Sequence, residues 1–340
     1  MKSNIKDTLV LFLILPLSLL LAGCLQEYDV HYKSENGGSE ATVFTVSGEN
    51  VFVDPGILLL PNKSIRTDLI EYIDHASSRV WIEIYTWTDS HLFEALIRAH
   101  KRGVDTRVVL EPSVFGTPTI NKKIYDGLVS QGVDVVYADS YRYTFTHAKF
   151  MIIDNRYFIS TGNFTESFFT KNRDLIFTDT GTGITSFMSS LFEKDYNHLG
   201  TNDMKIPDQL VISPINSRDK IESLIKEAKK DIIIYTQTLS DENILTLVKK
   251  AQSEGITLEI CTAKNESNLE QENKSGLNWK TITKPYVHTK LILVDSERFF
   301  IGSQNLTQNS LDNNREVGII ISGNSGLLSK LFSIYEEDCR

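Results

Sequence analysis

HAKFMIIDNRYFISTGNFTESFFTKNRD, residues 147–174, and HTKLILVDSERFFIGSQNLTQNSLDNNRE, residues 288–316, are two copies of one segment. From Phe158 to Asp174 and from Phe300 to Glu316 they align without a gap at an offset of 142. Each copy sets a His and a Lys one residue apart, then runs through four apolar residues to an Asp: His147, Lys149 and Asp154, then His288, Lys290 and Asp295. The aliphatic, β-branched run reads as a buried strand. At period two, His and Lys share a face, and the Asp falls at the strand's end, where it caps a turn or pairs with a charge. Asn-x-Thr (Asn163 to Thr165, Asn305 to Thr307) and Asn-Arg-acid (Asn172-Arg173-Asp174, Asn314-Arg315-Glu316) follow in both copies.

The repetition extends upstream. IEIYTWTDSHLFEALIRAHKRGVDTRVVLE, residues 82–111, parallels IIIYTQTLSDENILTLVKKAQSEGITLEICT, residues 232–262. Each gives a β-rich run ending in Tyr-Thr (Tyr85-Thr86, Tyr235-Thr236), a helix-period stretch, a Gly (Gly103, Gly255) and another β-rich run, with a further helical stretch before it. Strands alternating with helices indicate an α/β fold. The expected architecture is two similar α/β halves, residues 51–200 and 205–340, each a mixed β-sheet flanked by helices. Packed about a pseudo-two-fold axis, they bring equivalent motifs together at their interface. One chain then suffices for one active site.

Composition bounds the rest. The 340 residues are 41% hydrophobic and 23% charged, which is globular and rules out disorder or coiled coil. With 35 basic and 44 acidic side chains the net charge is −9, which argues against sequence-independent nucleic-acid binding. The one strongly apolar stretch lies at the start, which excludes a multi-spanning transporter. Lys2 and Lys6 precede an apolar run from Leu9 to Ala22 that closes on Leu21-Ala22-Gly23-Cys24, the three-part form of a secretory signal. Its 14 residues fall short of the roughly 20 a spanning helix needs. Leu-Ala-Gly-Cys resembles the lipobox of bacterial lipoproteins, which implies removal of residues 1–23, lipidation of Cys24 and an exported, membrane-anchored chain. Losing Lys2, Lys6 and Asp7 moves the charge to −10. Residues 24–50, with Asn36-Gly37-Gly38-Ser39, read as a flexible spacer. Cys261 and Cys339 remain; an oxidising compartment permits a bridge, and simple burial of Cys261 fits equally. No Cys/His spacing suggests a zinc site.

Two imidazoles, two ammonium groups and two amides suit a phosphoryl group, whose oxygens gain charge in the transition state. One neutral imidazole attacks phosphorus, and the other, protonated, donates to the leaving oxygen. The roles reverse when water or an alcohol attacks the phosphohistidine. This scheme needs neither a metal nor another cofactor.

The paired His-x-Lys-x4-Asp motifs resemble the phospholipase D superfamily over roughly residues 62–338. Gly302-Ser303-Gln304-Asn305 fits that family's Gly-Ser-x-Asn extension. In the first copy Ser160-Thr161-Gly162-Asn163 stands there instead, one residue nearer the Asp. The resemblance implies a catalytic set of His147, Lys149, Asp154, His288, Lys290 and Asp295. Within it His147 is the nucleophile, His288 the general acid, and the two Asp are structural. It further implies phosphate binding by Asn163, Asn305, Ser303 and Thr161, and histidine orientation by Asp174 and Glu316. Arg173 and Arg315 fit a salt bridge within the fold better than substrate contact.

The superfamily includes phospholipases, cardiolipin and phosphatidylserine synthases, and endonucleases. Export and an anchor favour hydrolysis of phospholipid head groups. Endonuclease action and phosphatidyl transfer of the cardiolipin synthase type are the alternatives, so nucleic acid stays open as a substrate. Binding of phosphorylated ligands without turnover is a fourth reading, against which both motifs stand complete. Phe115, Tyr141, Tyr143, Phe145 and Trp279 fall in candidate rim loops, where they can stack, insert into lipid or simply pack.

Overall fold

Each motif lysine opens a strand buried on both faces. In the computed structural model, which describes residues 54–340, every residue of Lys149–Ile153 and of Lys290–Val294 is buried. The expectations for residues 1–23, for the spacer 24–50 and for Cys24 lie outside the described residues.

The first half contains β1 (Gly56–Leu60), α1 (Lys63–His75), β2 (Arg79–Ile84), α2 (Ser90–Lys101), β3 (Asp105–Leu110), α3 (Lys122–Ser130), β4 (Asp134–Tyr137), β5 (Lys149–Ile153), β6 (Arg156–Ser160), α4 (Glu166–Thr170), β7 (Asn172–Asp179) and α5 (Thr182–Tyr196). The second repeats the series as β8 (Leu210–Ser213), α6 (Ser217–Lys226), β9 (Asp231–Thr236), α7 (Glu242–Ser253), β10 (Thr257–Ala263), α8 (Glu266–Ser275) and β11 (Lys280–Ile282). After one extra strand, β12 (Tyr286–Val287), it continues with β13 (Lys290–Val294), β14 (Arg298–Gly302), α9 (Gln308–Asp312), β15 (Glu316–Ser322) and α10 (Ser325–Cys339).

The two sheets have one topology. The first runs β1-β7-β6-β5-β2-β3-β4, and the second, read from its other edge, β8-β15-β14-β13-β9-β10-β11. Strands joined by helices pair in parallel (β2 with β3, β9 with β10), whereas the hairpin-linked β5-β6-β7 and β13-β14-β15 pair antiparallel. Gly103 and Gly255, at φ +89° and +93°, make the tight turns from α2 into β3 and from α7 into β10. β12 breaks the symmetry: it belongs to the second half yet pairs with β7 of the first.

Alternation along the central strands explains the layers. Phe150 and Ile152, with Leu291 and Leu293, face a shared core that α5 and α10 enter through Met188, Leu191, Phe192, Leu331 and Ile334. Met151 and Ile153 face a second core under α1 and α2, and Ile292 and Val294 a third under α6 and α7. A strand covered on both sides can be apolar throughout, which is why the motif strands read as unbroken hydrophobic runs. Glu83 on β2 is the exception, fully buried among these layers with no hydrogen-bond partner. Burial, and after it the charge of Asp195, pushes its carboxyl well above the usual range, with Arg315 pulling the other way.

Cys261 on β10 and Cys339 at the end of α10 form a disulfide closing 78 residues of chain. By loop-closure entropy such a bridge contributes about 4 kcal/mol. Reduction with dithiothreitol, or paired Cys261→Ser and Cys339→Ser changes, is expected to lower the urea midpoint accordingly. Equal midpoints with and without the bridge would rule that contribution out.

Candidate active site

Each motif histidine is held by the opposite half. The His147 amide donates to the Arg315 carbonyl at 2.8 Å, and the Arg315 amide to the Phe145 carbonyl at 2.9 Å. Symmetrically, the His288 amide donates to the Arg173 carbonyl at 3.1 Å, where β12 lies alongside Asn172 and Arg173. The rings follow the backbone. His147 Nδ1 lies 2.8 Å from Glu316 Oε2, and His288 Nδ1 lies 2.9 Å from Asp174 Oδ1. The expected acid–histidine pairs therefore form, and they form crosswise.

An ionised carboxylate accepts only, so each Nδ1 carries a proton, and each Nε2 is left to hold a lone pair in the neutral ring or a second proton in the charged one. Glu316 is held to this role. Its Oε1 accepts from Asn314 Nδ2 at 3.0 Å and from the Ser310 hydroxyl. Burial alone would raise its pKa, but His147, Lys149 and Ser310 bring it below the usual range. Asp174 accepts from the Thr161 hydroxyl at 2.7 Å. Gly162 lets it approach: a Cβ there would come within 2.5 Å of the Asp174 carboxylate.

Lys149 and Lys290 are both buried. Lys149 Nζ donates to the His147 carbonyl at 2.6 Å and lies 5.1 Å from the Tyr85 ring centre. Lys290 Nζ bridges the halves, donating to the Thr161 carbonyl at 3.2 Å and to Gln237 Oε1 at 3.1 Å. Burial and the neighbouring lysine lower His147 to about 4, against the pull of Glu316. His288 and Lys149 are lowered too, and Lys290 falls to about 8, in each case through burial first. Four basic groups share this cleft with two carboxylates. Donors from two lysines beside two histidines make the arrangement chemically suited to an anionic oxygen cluster.

Asp154 and Asp295, counted in the motif set but expected to be structural, stand apart from the histidines and lysines. Five strand residues separate Asp154 from the start of β5, roughly 17 Å at 3.3 Å per residue. Its carboxylate accepts from the amides of Ser77, Ser78 and Arg79, and that of Asp295 from those of Lys229, Lys230 and Asp231. Each ties a hairpin turn to the start of the neighbouring strand. Burial opposes ionisation of Asp154, yet these donors bring it to about 2. Both Asp residues take positive φ, +53° and +58°, which Asp tolerates.

The one-residue difference between the copies also lies in these turns. β5 and β6 are joined by Asp154-Asn155, β13 and β14 by Asp295-Ser296-Glu297, so the extra residue sits at the far end of the strands from the histidines.

Thr161 and Ser303, expected at the phosphate, have their hydroxyls engaged elsewhere. Thr161 Oγ1 bonds Asp174 and accepts from the Leu175 amide. Ser303 Oγ donates to the Val317 carbonyl at 3.3 Å and accepts from its amide at 3.0 Å. They brace the strands that carry Asp174 and Glu316. Asn163 and Asn305 each keep a buried side-chain oxygen without a partner, on half-buried residues beside the motif strands. Thr165 and Thr307 cap α4 and α9, accepting from Phe168 and Ser310 amides.

Sequence reasoning missed Tyr85, Glu111 and Gln237. The Tyr85 ring stands edge-on to His147 at 4.6 Å. Glu111 accepts from the amides of Thr146 at 2.7 Å and Ser113 at 2.9 Å, tying a rim loop to the residue before His147. Gln237 holds Lys290 and Tyr286. Only the repeated Tyr-Thr strand ends signalled this region. Of the rim aromatics, Tyr143 and Trp279 are buried, Phe145 packs edge-on to Tyr85, and Phe115 and Tyr141 are 83% and 102% exposed.

Comparison with known proteins agrees with this architecture. Residues 69–196 and 221–338 match the family model described as the phospholipase D-like domain of cardiolipin synthase. A probable cardiolipin synthase of Bacillus subtilis, YwiE, is 21% identical across 80% of this chain and 63% of its own length. The chain spans between half and two thirds of the curated relatives it matches. Among solved structures, polyphosphate kinase from Porphyromonas gingivalis superposes with a TM-score of 0.64 at 17% identity, covering 82% of this chain and 49% of that one. Phosphatidylserine synthase from Haemophilus influenzae superposes with a TM-score of 0.60 at 12% identity, covering 82% and 84%. These likenesses show the fold; the family model, matching most of the chain in both halves, shows that the chain belongs to the phospholipase D superfamily.

Proposed function

We propose that the protein is a metal-independent phosphodiesterase that removes head groups from phospholipids through a phosphohistidine at His147. The observation that carries this reading is the crossed pairing of two histidines, each with Nδ1 on a carboxylate, beside two buried lysines. His147 Nε2 attacks phosphorus. The P–O bond to the head group breaks as its oxygen takes the proton from His288 Nε2. Water then gives a proton back to His288 and attacks phosphorus, the P–N bond breaks, and phosphatidic acid leaves. Lys149, Lys290, Asn163 and Asn305 hold the non-bridging oxygens.

Exposed Phe115 and Tyr141, on loops beside His147, support contact with lipid. The Leu-Ala-Gly-Cys sequence supports a lipid anchor at Cys24 of an exported protein. Phosphatidyl transfer to an alcohol is the second reading, favoured by the family model and the Bacillus relative.

The deciding experiment incubates the protein, with EDTA, on phosphatidylcholine/phosphatidylglycerol vesicles with and without a primary alcohol, and in parallel on DNA and RNA. Phosphatidic acid that requires both histidines is expected. A phosphatidyl-alcohol formed in preference to phosphatidic acid selects the transferase. Cleaved nucleic acid with intact vesicles, or EDTA inhibition that added metal reverses, overturns the proposal.

His147 must be neutral, so kcat/KM rises as pH climbs through about 4. His288 must be protonated, and burial lowers it from 6.5, so kcat/KM falls again below neutrality. A bound phosphodiester raises His288, which displaces the alkaline limb of kcat to higher pH than that of kcat/KM. Coincident alkaline limbs would remove His288 from the acid role.

A further inference from the structure

Arg173 and Arg315 form salt bridges within the fold, and their position gives those bridges a second use. Arg315 hands its carbonyl to His147 and is followed by Glu316, which holds the His147 ring. Arg173 does the same for His288 through Asp174. One two-residue segment of the opposite half thus fixes both backbone and ring of each histidine.

Each of those segments is itself gripped by a helix-end aspartate. Arg315 Nε lies 2.9 Å and Nη2 3.0 Å from the carboxylate of Asp195, the penultimate residue of α5. Arg173 Nη2 lies 2.8 Å from Oδ1 of Asp338, the penultimate residue of α10, and Nε pairs with its Oδ2. Asp195 and Asp338 are 143 residues apart, one more than the 142-residue offset of the motif segments, and each is the penultimate residue of the last helix of its half. The circuit closes on itself: α5 of the first half holds Arg315 of the second, which holds His147 of the first. α10, Arg173 and His288 form the mirror circuit.

All four ion-pair partners are shielded from solvent, with side chains no more than 9% exposed. The Arg173–Asp338 grip is bidentate and so fixes direction as well as distance, whereas Arg315 makes one hydrogen bond to Asp195, through Nη2, with Nε at ion-pair distance from the other oxygen. The two circuits differ in surroundings. Beside Asp195 stand Tyr143 and Thr201, both bonded to Arg315, and the buried Glu83. Beside Asp338 stands Tyr235, whose hydroxyl donates at 2.8 Å, and the next residue is the disulfide-bonded Cys339.

We propose that Asp195 and Asp338 are positioning residues that aim His147 and His288, respectively, through Arg315 and Arg173. The proposal rests on the assignment of those histidines as the reacting groups. Neither aspartate touches substrate, so the predicted damage is misalignment: Asp338→Asn lowers kcat about 100-fold with KM nearly unchanged, the cost of a displacement near 1 Å. Asp195→Asn does the same. The two differ in what they spare. With bis(4-nitrophenyl) phosphate, whose leaving group needs no proton at neutral pH, the first burst of nitrophenolate depends on His147 alone. Asp195→Asn slows that burst, and Asp338→Asn leaves it intact while still impairing phospholipid cleavage.

The experiment uses the full chain with 15N-labelled histidine. The two Nδ1 protons bound to carboxylates give low-field resonances, assigned with His147→Ala and His288→Ala. Asp338→Asn should shift or erase the His288 resonance only, and Asp195→Asn the His147 resonance only. Because a lone unpaired Arg can unfold the chain, Arg173→Met/Asp338→Leu is made alongside, replacing the pair with apolar groups. It should melt like the wild type yet keep the low kcat. Wild-type kcat in that folded double variant, or Asp variants with both resonances and turnover intact, overturns the proposal. Full activity in His147→Ala and His288→Ala would instead sink the active-site assignment, and the resonances would still report whether the grips aim the rings.

Discussion

His147→Ala is expected to lower turnover of phospholipid by about 10⁴-fold or more while leaving the melting temperature near that of the wild type. The magnitude follows from what the group does: removal of a covalent nucleophile leaves only binding and charge stabilisation, and comparable deletions in hydrolases cost factors of that order. Stability should hold because the ring lines the cleft, 13% exposed, and its carboxylate partner keeps Ser310 and Asn314 when it goes. A sharper expectation concerns the intermediate. Acid-labile, alkali-stable phosphate should accumulate on the wild-type chain when the second step is slowed, and none on His147→Ala. Free imidazole, which fits the vacated space with a neutral ring, should restore part of the rate. Phosphate trapped on His288 would reverse the two roles, and undiminished turnover would remove both.

Glu316→Gln should be nearly as damaging, by about 10³- to 10⁴-fold, although it changes one atom. Three donors converge on this carboxylate: His147 Nδ1 on one oxygen, Ser310 and Asn314 on the other. An amide cannot accept all three. The oxygen is claimed by the two donors at Oε1, which turns the NH₂ toward His147 and forces its Nδ1 to accept. The proton then moves to Nε2, the atom that must attack phosphorus. Ground-state binding should be almost untouched, so the loss should fall on kcat. A Gln variant with kcat within ten-fold of wild type would show that the tautomer is set by something else.

Much of this was visible in the chain. The duplication gave itself away because one residue pattern occurs twice with one spacing, and the motif strands because both faces are covered, which suppresses alternation. The site's composition followed from the paired motifs. What stayed hidden was everything that depends on the two halves meeting. His147 and Glu316 are 169 residues apart, and each half carries an acid after its own Asn-Arg, so no periodicity reveals that the pairs cross. The segments that carry out the crossing, Phe145-Thr146 and Tyr286-Val287, are too short to read as strands. Thr161 and Ser303 look like ligands by type, and only the register of β7 and β15 shows their hydroxyls turned toward Asp174 and the Val317 backbone. Glu83 reads as the solvent side of an alternating strand until α5 is seen to cover that face.

The crossed histidine–carboxylate pairs carry an implication for descent. Neither copy of the repeat holds a complete histidine–carboxylate pair, because the acid that fixes each ring lies in the other. A single unfused copy would have nothing to aim its imidazole unless a twin lay against it, so the arrangement is that of a symmetric pair later written into one polypeptide. The copies differ in what surrounds the site, Glu111 in one where Ala263 stands in the other, while they bind each other at four residues. A change in His147 is tolerable only with respect to Glu316, and one in His288 only with respect to Asp174. In such a molecule the inheritable unit is the crossing itself, and neither half can be exchanged for a distant cousin's without breaking two partnerships at once.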